Sequence, residues 1–191
     1  KKQQQQQQQQ PKPLEQSQLD AKLPAFDYTA LTASVCEIHN LAVPTKVELC
    51  VQADAYTLVL GLRGLDGKMA LHVSWHPNAA RVCLGPPPPR VHSSEQLSFG
   101  EQCNANLRGL ILVSVTLPEP WERVATFAFA ERPGAPPAFY LHCEIMGRQS
   151  NAVLVEGPGS SGSSGNGSSG GIVACAYQVG AAQTSVRPIY A

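Results

Sequence analysis

Most of the chain after residue 46 is a series of short β-forming segments separated by turn signals, and this pattern restricts the fold more than any other feature. The segments cover residues 47–51, 56–62, 69–75, 81–84, 110–117, 123–129, 138–146, 152–155 and 171–178. Asp66-Gly67 predicts a hairpin turn, and the proline run 86–89 predicts a stiff extended connector, because proline cannot join a sheet interior. A series of short strands of this kind, separated by turn signals, predicts an antiparallel β sandwich or barrel.

Two segments have helical rather than β patterns. Apolar residues recur at i, i+4 and i+7 from Leu31, Asp27 or Thr29 is available as N-cap, and Pro44 ends the pattern. Residues 97–108 predict a weak helix, since they contain a glycine and two asparagines. One or two helices flanking an antiparallel sheet make the expected fold class α+β.

Two low-complexity tracts define the predicted domain organisation. Residues 1–24 contain an unbroken glutamine run and few apolar side chains, so we expect a disordered tail. Residues 25–191 then form one domain. The Gly/Ser tract 157–171 falls between the last two predicted strands, where we expect a dispensable loop insertion. No apolar run is long enough to predict a membrane span.

The charge balance argues against non-specific binding to nucleic acid. From Ala25 onward the chain has ten Lys and Arg residues against twelve Asp and Glu residues. A domain with this balance lacks the long-range positive field that attracts phosphates. If it binds RNA, it does so through a few placed residues or with help from another domain.

The sequence contains no recognisable catalytic or metal-binding pattern. The six cysteines are widely spaced without a C-x-x-C pair, and the five histidines are scattered, so we expect reduced, mostly buried thiols and no metal or cofactor. Glu122 and Arg123 adjoin at the start of an apolar strand. Their neighbouring charges predict either an exposed ion pair or an arginine that its carboxylate holds ready for a phosphate or a base edge.

Several segments together resemble the amino-terminal domain of the NFACT family. Glu144-Ile145-Met146-Gly147-Arg148 with Ser150-Asn151 is similar to the family's Glu-Ile-Met-Gly-Lys-x-Ser-Asn signature. Further similar segments occur in the family's order: Phe26 to Leu31, Ala55 to Leu58, Ser74 to Pro77, Ala80 to Val82, Pro120 to Val124 and Ser185 to Pro188. The resemblance covers nearly all of the predicted domain.

The resemblance implies a binding role without catalysis. Such proteins bind the large ribosomal subunit that still holds peptidyl-tRNA after a stall. They recruit tRNA for untemplated carboxy-terminal tailing of the nascent chain, with alanine in the bacterial branch. By the same resemblance, Asp27, Glu122 and Arg123 face the tRNA.

The resemblance also implies what accompanies this domain and where it departs from the family. The family's coiled-coil arm, helix-hairpin-helix portion and basic carboxy-terminal domain are expected to be needed and are outside this sequence. Basic residues common in the family around Cys103, Asn104 and Ala105 are missing, and Gln149 replaces a frequent histidine. The similarity of Trp75-His76-Pro77 to cyanobacterial members favours the plastid stroma over the cytoplasm.

Two alternatives of other classes remain open. The NFACT amino-terminal domain is similar in fold to that of formamidopyrimidine-type DNA glycosylases, whose chemistry needs a free amino-terminal proline followed by glutamate. Here Pro24 is followed by Ala25 behind a long tail. A β-rich interaction module without any RNA role is the other alternative.

Overall fold

A computed structural model describes residues 26–88, 97–160 and 171–176. These residues form two helices and nine strands: α1 (Tyr28–Ala42), β1 (Thr45–Asp54), β2 (Thr57–Gly64), β3 (Gly67–Ser74), β4 (Arg81–Gly85), α2 (Ser98–Leu107), β5 (Ile111–Thr116), β6 (Val124–Ala130), β7 (Phe139–Glu144), β8 (Asn151–Glu156) and β9 (Ile172–Cys175). The predicted α+β class is confirmed. The predicted tail, residues 1–24, lies outside the described residues.

All nine strands belong to one antiparallel sheet, in the order β4-β3-β2-β1-β5-β6-β7-β8-β9. Strands adjacent along the chain pair with each other, with the exception of β4 and β5. Strand β5 pairs instead with β1, through only two residue pairs, Thr45 with Leu112 and Lys46 with Ile111. This short join divides the sheet into a four-stranded and a five-stranded part. Helix α1 packs on both β4 and β5. On the β4 side, the Ser34 hydroxyl donates to the Val82 carbonyl oxygen. The helix therefore connects the two parts.

Helix α1 forms as its local sequence predicts. Asp27 is the N-cap, and its Oδ1 accepts a hydrogen bond from the Ala30 N–H at 2.8 Å. Leu31 and Ile38 are fully buried, and the helix ends at Ala42, two residues before Pro44. In the part of the chain that the structure describes, neither helix is long and apolar enough to cross a bilayer.

Helix α2 is a complete ten-residue helix, although the sequence predicted a weak one. Phe99, Cys103 and Leu107 form a buried stripe along it. The residues that weaken the helix also dock it on β1: the Gly100 N–H donates to Gln52 Oε1 at 3.1 Å, and Asn104 Oδ1 accepts from the Cys50 N–H at 2.9 Å. Tertiary contacts thus outweigh the low local propensity.

The β2–β3 hairpin turns one residue earlier than predicted. Gly64 pairs with Gly67, so Leu65 and Asp66 form the two-residue loop and Gly67 begins β3. Gly67 has φ +132°, a conformation that glycine adopts without steric cost. The predicted Asp66-Gly67 turn is corrected by one position.

The Gly/Ser tract lies between β8 and β9, as predicted, but its first residues are packed. The Gly157 N–H donates to the Ala138 carbonyl oxygen at 2.7 Å, and the Gly159 N–H donates to that of Pro137 at 2.9 Å. A Cβ at Gly157 would overlap the Pro137 carbonyl oxygen. The beginning of the tract is therefore part of the packed domain, whereas residues 161–170 lie outside the described residues. That the tract is dispensable stays a prediction.

The cysteines are less buried than predicted. The described residues include all six cysteines, and none of them forms a disulfide; Cys50, Cys103 and Cys143 are buried, but Cys36 is exposed. The other two are half-buried. Burial raises the pKa of Cys103 to about 12 and raises those of Cys50 and Cys143 well above the ordinary value. These three thiols are poor nucleophiles, whereas Cys36 is accessible to reagents.

Candidate functional site

An open cleft of ≈ 190 Å³ lies where four separate parts of the chain meet. These are the start of α1, the connection between β3 and β4, the residue preceding β6 and the connection after β7. The lining residues are Phe26, Pro77, Asn78, Ala79, Ala80, Arg81, Arg123, Ile145 and Gly147. Its wall combines apolar side chains with two arginines.

The β3–β4 connection forms one wall and is fixed by its own hydrogen bonds. Trp75 is buried against Phe99 of α2, with ring centroids 5.5 Å apart. His76 Nδ1 accepts from the Asn78 N–H at 3.1 Å, so this histidine shapes the turn. Arg81, at the start of β4, is half-buried and donates from Nε to the Ala79 carbonyl oxygen at 3.2 Å. Its backbone contact orients the guanidinium at the cleft.

The family-like signature, residues 144–151, forms the β7–β8 connection and the opposite wall. Ser150 Oγ accepts from the Met146 N–H at 2.9 Å, and the Ser150 N–H donates to the Gly147 carbonyl oxygen at 3.0 Å. Gly147 has φ +60° and borders the cleft. Arg148, in the short 3₁₀ turn that follows, is exposed. The positive φ suits a glycine at position 147, and the two hydrogen bonds of Ser150 close the turn.

The two ends of the signature belong to the sheet. Glu144 is buried between Val124 and Asn151 on the neighbouring strands. The Asn151 side-chain oxygen accepts from the Ala152 N–H at 2.9 Å, and its amide nitrogen lies 3.0 Å from Cys175 Sγ. The signature therefore holds the cleft wall in shape.

Arg123 lies at the cleft directly before β6. Its carbonyl oxygen accepts from the Ile145 N–H at 2.8 Å, which ties it to the signature, while its side chain is exposed. Trp121, two residues earlier, has φ +67°, a strained conformation for a bulky residue. Its side chain is 82% exposed and contacts Tyr28 with ring centroids 5.2 Å apart.

The structure corrects the expected ion pair between Glu122 and Arg123. Within residues 26–88, 97–160 and 171–176, ion pairs join Glu48 to Arg63 and to Lys68, and Glu122 forms none with Arg123. Both side chains are exposed. The backbone of Arg123 is thus fixed by its bond to Ile145, whereas its side chain is not held by a neighbouring carboxylate.

The three residues expected to face tRNA are brought to one surface. Asp27 follows Phe26, which lines the cleft, and precedes Tyr28, which contacts Trp121. Asp27 is exposed, but one of its oxygens is engaged in capping α1. Glu122 and Arg123 come directly after Trp121.

Two residues of this surface were not singled out from the sequence. Arg81 belongs to a segment similar to the family, but nothing in its neighbours shows that its strand starts beside Arg123. Trp121 adjoins the predicted pair, yet its exposure depends on the left-handed backbone that aims it at Tyr28.

The described residues do not suggest a metal site. None of their His, Cys, Asp and Glu side chains form a group of three or more that could hold an ion. His142 is buried, with Nδ1 2.9 Å from Thr126 Oγ1, and burial lowers its pKa to about 4. It is a neutral core residue.

The fold and the cleft define a class of protein: an α+β domain whose antiparallel sheet presents an arginine-lined cleft beside an exposed tryptophan that contacts a half-buried tyrosine. The chain belongs to the NFACT family, because residues 27–191 match the model of the NFACT N-terminal and middle domains. The expected family is confirmed.

Solved structures share this fold. The amino-terminal domain of fibronectin-binding protein PavA from Streptococcus pneumoniae matches with a TM-score of 0.68 at 23% identity, over 86% of this chain and 58% of that one. The amino-terminal part of the fibronectin/fibrinogen-binding protein of Streptococcus suis matches with 0.67 at 23% identity, over the same shares.

A third solved structure, the fibrinogen-binding protein from Staphylococcus aureus, matches with a TM-score of 0.56 at 24% identity, over 69% of this chain and 47% of that one. No curated protein sequence matches. The chain therefore spans 58% of the first two structures, and at these identities the likeness shows the fold. The similarity to the glycosylase domain stays a prediction.

Proposed function

We propose that this domain is the tRNA-contacting part of a ribosome-associated quality control factor. The factor binds the large ribosomal subunit with peptidyl-tRNA after a stall and recruits tRNA for untemplated, alanine-type tailing of the nascent chain. One observation carries the proposal: Phe26 and Arg123, far apart in the sequence, line a single cleft that the family-like signature helps to form, and Asp27 and Glu122 directly adjoin these two lining residues.

The two arginines that line the cleft support an anionic ligand, because none of the lining residues is acidic. Among the described residues, Arg81 and Arg123 form no ion pair. A guanidinium offers a planar set of donors that suits a phosphate or a base edge. With both partners charged, each such contact is worth about 1.5–3 kcal/mol.

The exposed Trp121, backed by Tyr28, supports recognition of an unpaired nucleotide. Trp121 presents most of its ring to solvent, and Tyr28 packs on it. Bases of single-stranded RNA stack on aromatic side chains of this kind, at about 1–3 kcal/mol per base. A loop of tRNA supplies both an accessible base and phosphates.

The proposed role is binding, without a catalytic step of its own. A domain with ten basic and twelve acidic residues after Ala25 attracts RNA only weakly, so strong binding requires a basic partner domain. The compartment we propose is the plastid stroma or the cytoplasm.

Crosslinking tests the proposed position of tRNA. Ultraviolet irradiation of the protein with tRNA should attach RNA to Trp121 and Tyr28, and mass spectrometry would locate the modified peptides. Arg81→Gln combined with Arg123→Gln should abolish these crosslinks, whereas Arg132→Gln, in the exposed β6–β7 connection, should leave them unchanged. Crosslinks that map elsewhere and persist in the double variant would contradict the proposal.

The names of the solved neighbours suggest a second ligand to test with the same variants. Those proteins are named for binding fibronectin or fibrinogen. Immobilised fibronectin and tRNA should be compared with the same variants. The proposal expects the cleft variants to change tRNA binding alone.

A further inference from the structure

A row of three basic residues crosses the sheet at the end opposite the cleft. Lys46 of β1 pairs directly with Arg63 of β2, and Arg63 pairs directly with Lys68 of β3. Directly opposed residues in antiparallel strands point to the same face of the sheet. With strands about 4.8 Å apart, the row extends over roughly 10 Å. We call Lys46, Arg63 and Lys68 the basic row.

The basic row is exposed and only partly neutralised. The Arg63 and Lys68 side chains are 62% and 69% exposed, and both contact Glu48, at 3.3 and 2.9 Å. The hydrogen bond from Lys68 is the main cause that lowers the pKa of Glu48. One carboxylate shared by two cations leaves the row positive.

The surroundings of the basic row add one cation and one carboxylate, so its positive balance is kept. Arg108 ends α2 beside β1, because the next residue, Gly109, donates its N–H to the Val47 carbonyl oxygen at 2.9 Å. Asp66, in the hairpin loop, is the nearest other carboxylate along these strands. Four cations and two carboxylates thus gather in a domain whose overall balance is slightly negative.

Internal stability does not account for this arrangement. Like charges placed directly opposite each other across a strand pair are destabilising, and this sheet contains two such pairs in succession. At the tip of the same hairpin, Leu65 is fully exposed and packs on nothing. Both features suit a surface that is covered when a partner binds.

The basic row is too far from the cleft to serve the same ligand group. Lys68 is near the start of β3, and the connection that lines the cleft follows the end of β3 at Ser74. At about 3.3 Å per residue, these points are roughly 20 Å apart.

We propose that the basic row binds the phosphate backbone of ribosomal RNA on the large subunit, while the cleft holds tRNA. The inference rests on the proposed function, which requires the domain to meet two RNA molecules at once. Three cations in a line match a run of backbone phosphates and carry no base specificity. Exposed ion pairs contribute little to stability, so phosphates can replace Glu48 as the partner of Arg63 and Lys68.

The test measures binding to purified large subunits and to free tRNA over a range of salt concentrations. Lys46→Gln/Arg63→Gln/Lys68→Gln should weaken subunit binding roughly tenfold or more at 150 mM salt and reduce the slope of log K against log salt by about 2. Its tRNA affinity should stay within about twofold. Lys46→Arg/Lys68→Arg, which keeps the charge, should bind subunits like the wild type.

Glu48→Gln should strengthen subunit binding, the opposite of the effect expected for the triple variant. Removing this carboxylate raises the charge of the basic row, so subunit affinity should increase by about two- to fivefold with a steeper salt dependence. If the residues only stabilised the hairpin, the same variant would weaken binding or leave it unchanged.

The outcomes separate this inference from the proposed function. A triple variant that binds subunits like the wild type, or that loses tRNA and subunit binding equally, overturns the basic row as an rRNA site. A wild-type protein that binds tRNA but no subunit overturns it as well. If tRNA failed to crosslink at Trp121 while subunit binding still depended on the basic row, the proposed binding of tRNA at the cleft would be contradicted instead.

Discussion

Polar groups are used in opposite ways at the α2–β1 contact and at the cleft. Under α2, Gln52 and Asn104 bond to backbone N–H groups inside the protein. At the cleft, Arg123 is exposed and its guanidinium contacts no carboxylate of the described residues. The first region uses its polar side chains to fix the fold; the second leaves them available. Substitutions should therefore change stability in one region and ligand binding in the other.

The largest effect on stability is expected at Gly100. A Cβ there would lie 2.6 Å from Gln52 Cβ and 2.9 Å from its backbone nitrogen, so the helix could not stay docked on β1. Gly100→Val should lower the free energy of unfolding by about 3 kcal/mol, as overpacking does. Urea unfolding would measure it. In the same helix, exposed Ala105→Gly should cost only about 1 kcal/mol. A Gly100→Val protein as stable as the wild type would show that α2 is not tightly docked.

Acid should destabilise the fold through His142, a buried histidine of β7. Its pKa of about 4 lies below the ordinary 6.5, so the unfolded chain takes up a proton first as the pH falls. The stabilisation is complete above pH 6.5 and is lost progressively down to about pH 4, to a limit of about 3 kcal/mol. Unfolding free energies at a series of pH values would show this loss. His142→Gln should flatten the profile, whereas exposed His39→Gln should not.

A smaller loss is expected at Asn104. Asn104→Ala removes the acceptor for the Cys50 N–H and should cost about 1–3 kcal/mol. Asn106→Ala is the matched control, because its side chain bonds to the exposed Gln102 carbonyl on the same helix. If the two variants were equally stable, the polar contact between α2 and β1 would not contribute to stability as the comparison of the two regions requires.

Substitutions of Asp27 should affect both stability and ligand binding, since this residue caps α1 and adjoins the cleft. Asp27→Ala removes the cap and should cost about 1 kcal/mol, whereas Asp27→Asn preserves it. If the carboxylate contributes to tRNA binding, Asp27→Asn should change affinity without changing stability. Equal affinity for Asp27→Asn and the wild type would limit the role of Asp27 to capping.

Local patterns predicted the elements better than their contacts. Helix α1, with its N-cap and apolar stripe, follows from residues within three or four positions of one another. Helix α2 does not, because Gly100 and Asn104 stabilise it through hydrogen bonds to β1, about 50 residues away. The single sheet likewise depends on the short β1–β5 join, which strand patterns do not specify.

The site was predictable only in part. The resemblance supplied Asp27, Glu122 and Arg123, but the expected ion pair is missing from the described residues, and Arg81 reaches the cleft only through the sheet pairing. The exposure of Trp121 follows from one left-handed residue, which no pattern in the neighbouring sequence indicates.

The most direct test of the account measures stability and tRNA affinity together for Arg123→Ala. The account predicts an unfolding free energy within about 0.5 kcal/mol of the wild type, as for exposed positions, and a tRNA affinity roughly tenfold to hundredfold lower. Arg123→Lys should restore only part of the affinity, because an ammonium lacks the planar set of donors. An Arg123→Ala protein that unfolds readily, yet whose folded fraction binds tRNA like the wild type, would contradict the account and make Arg123 a structural residue.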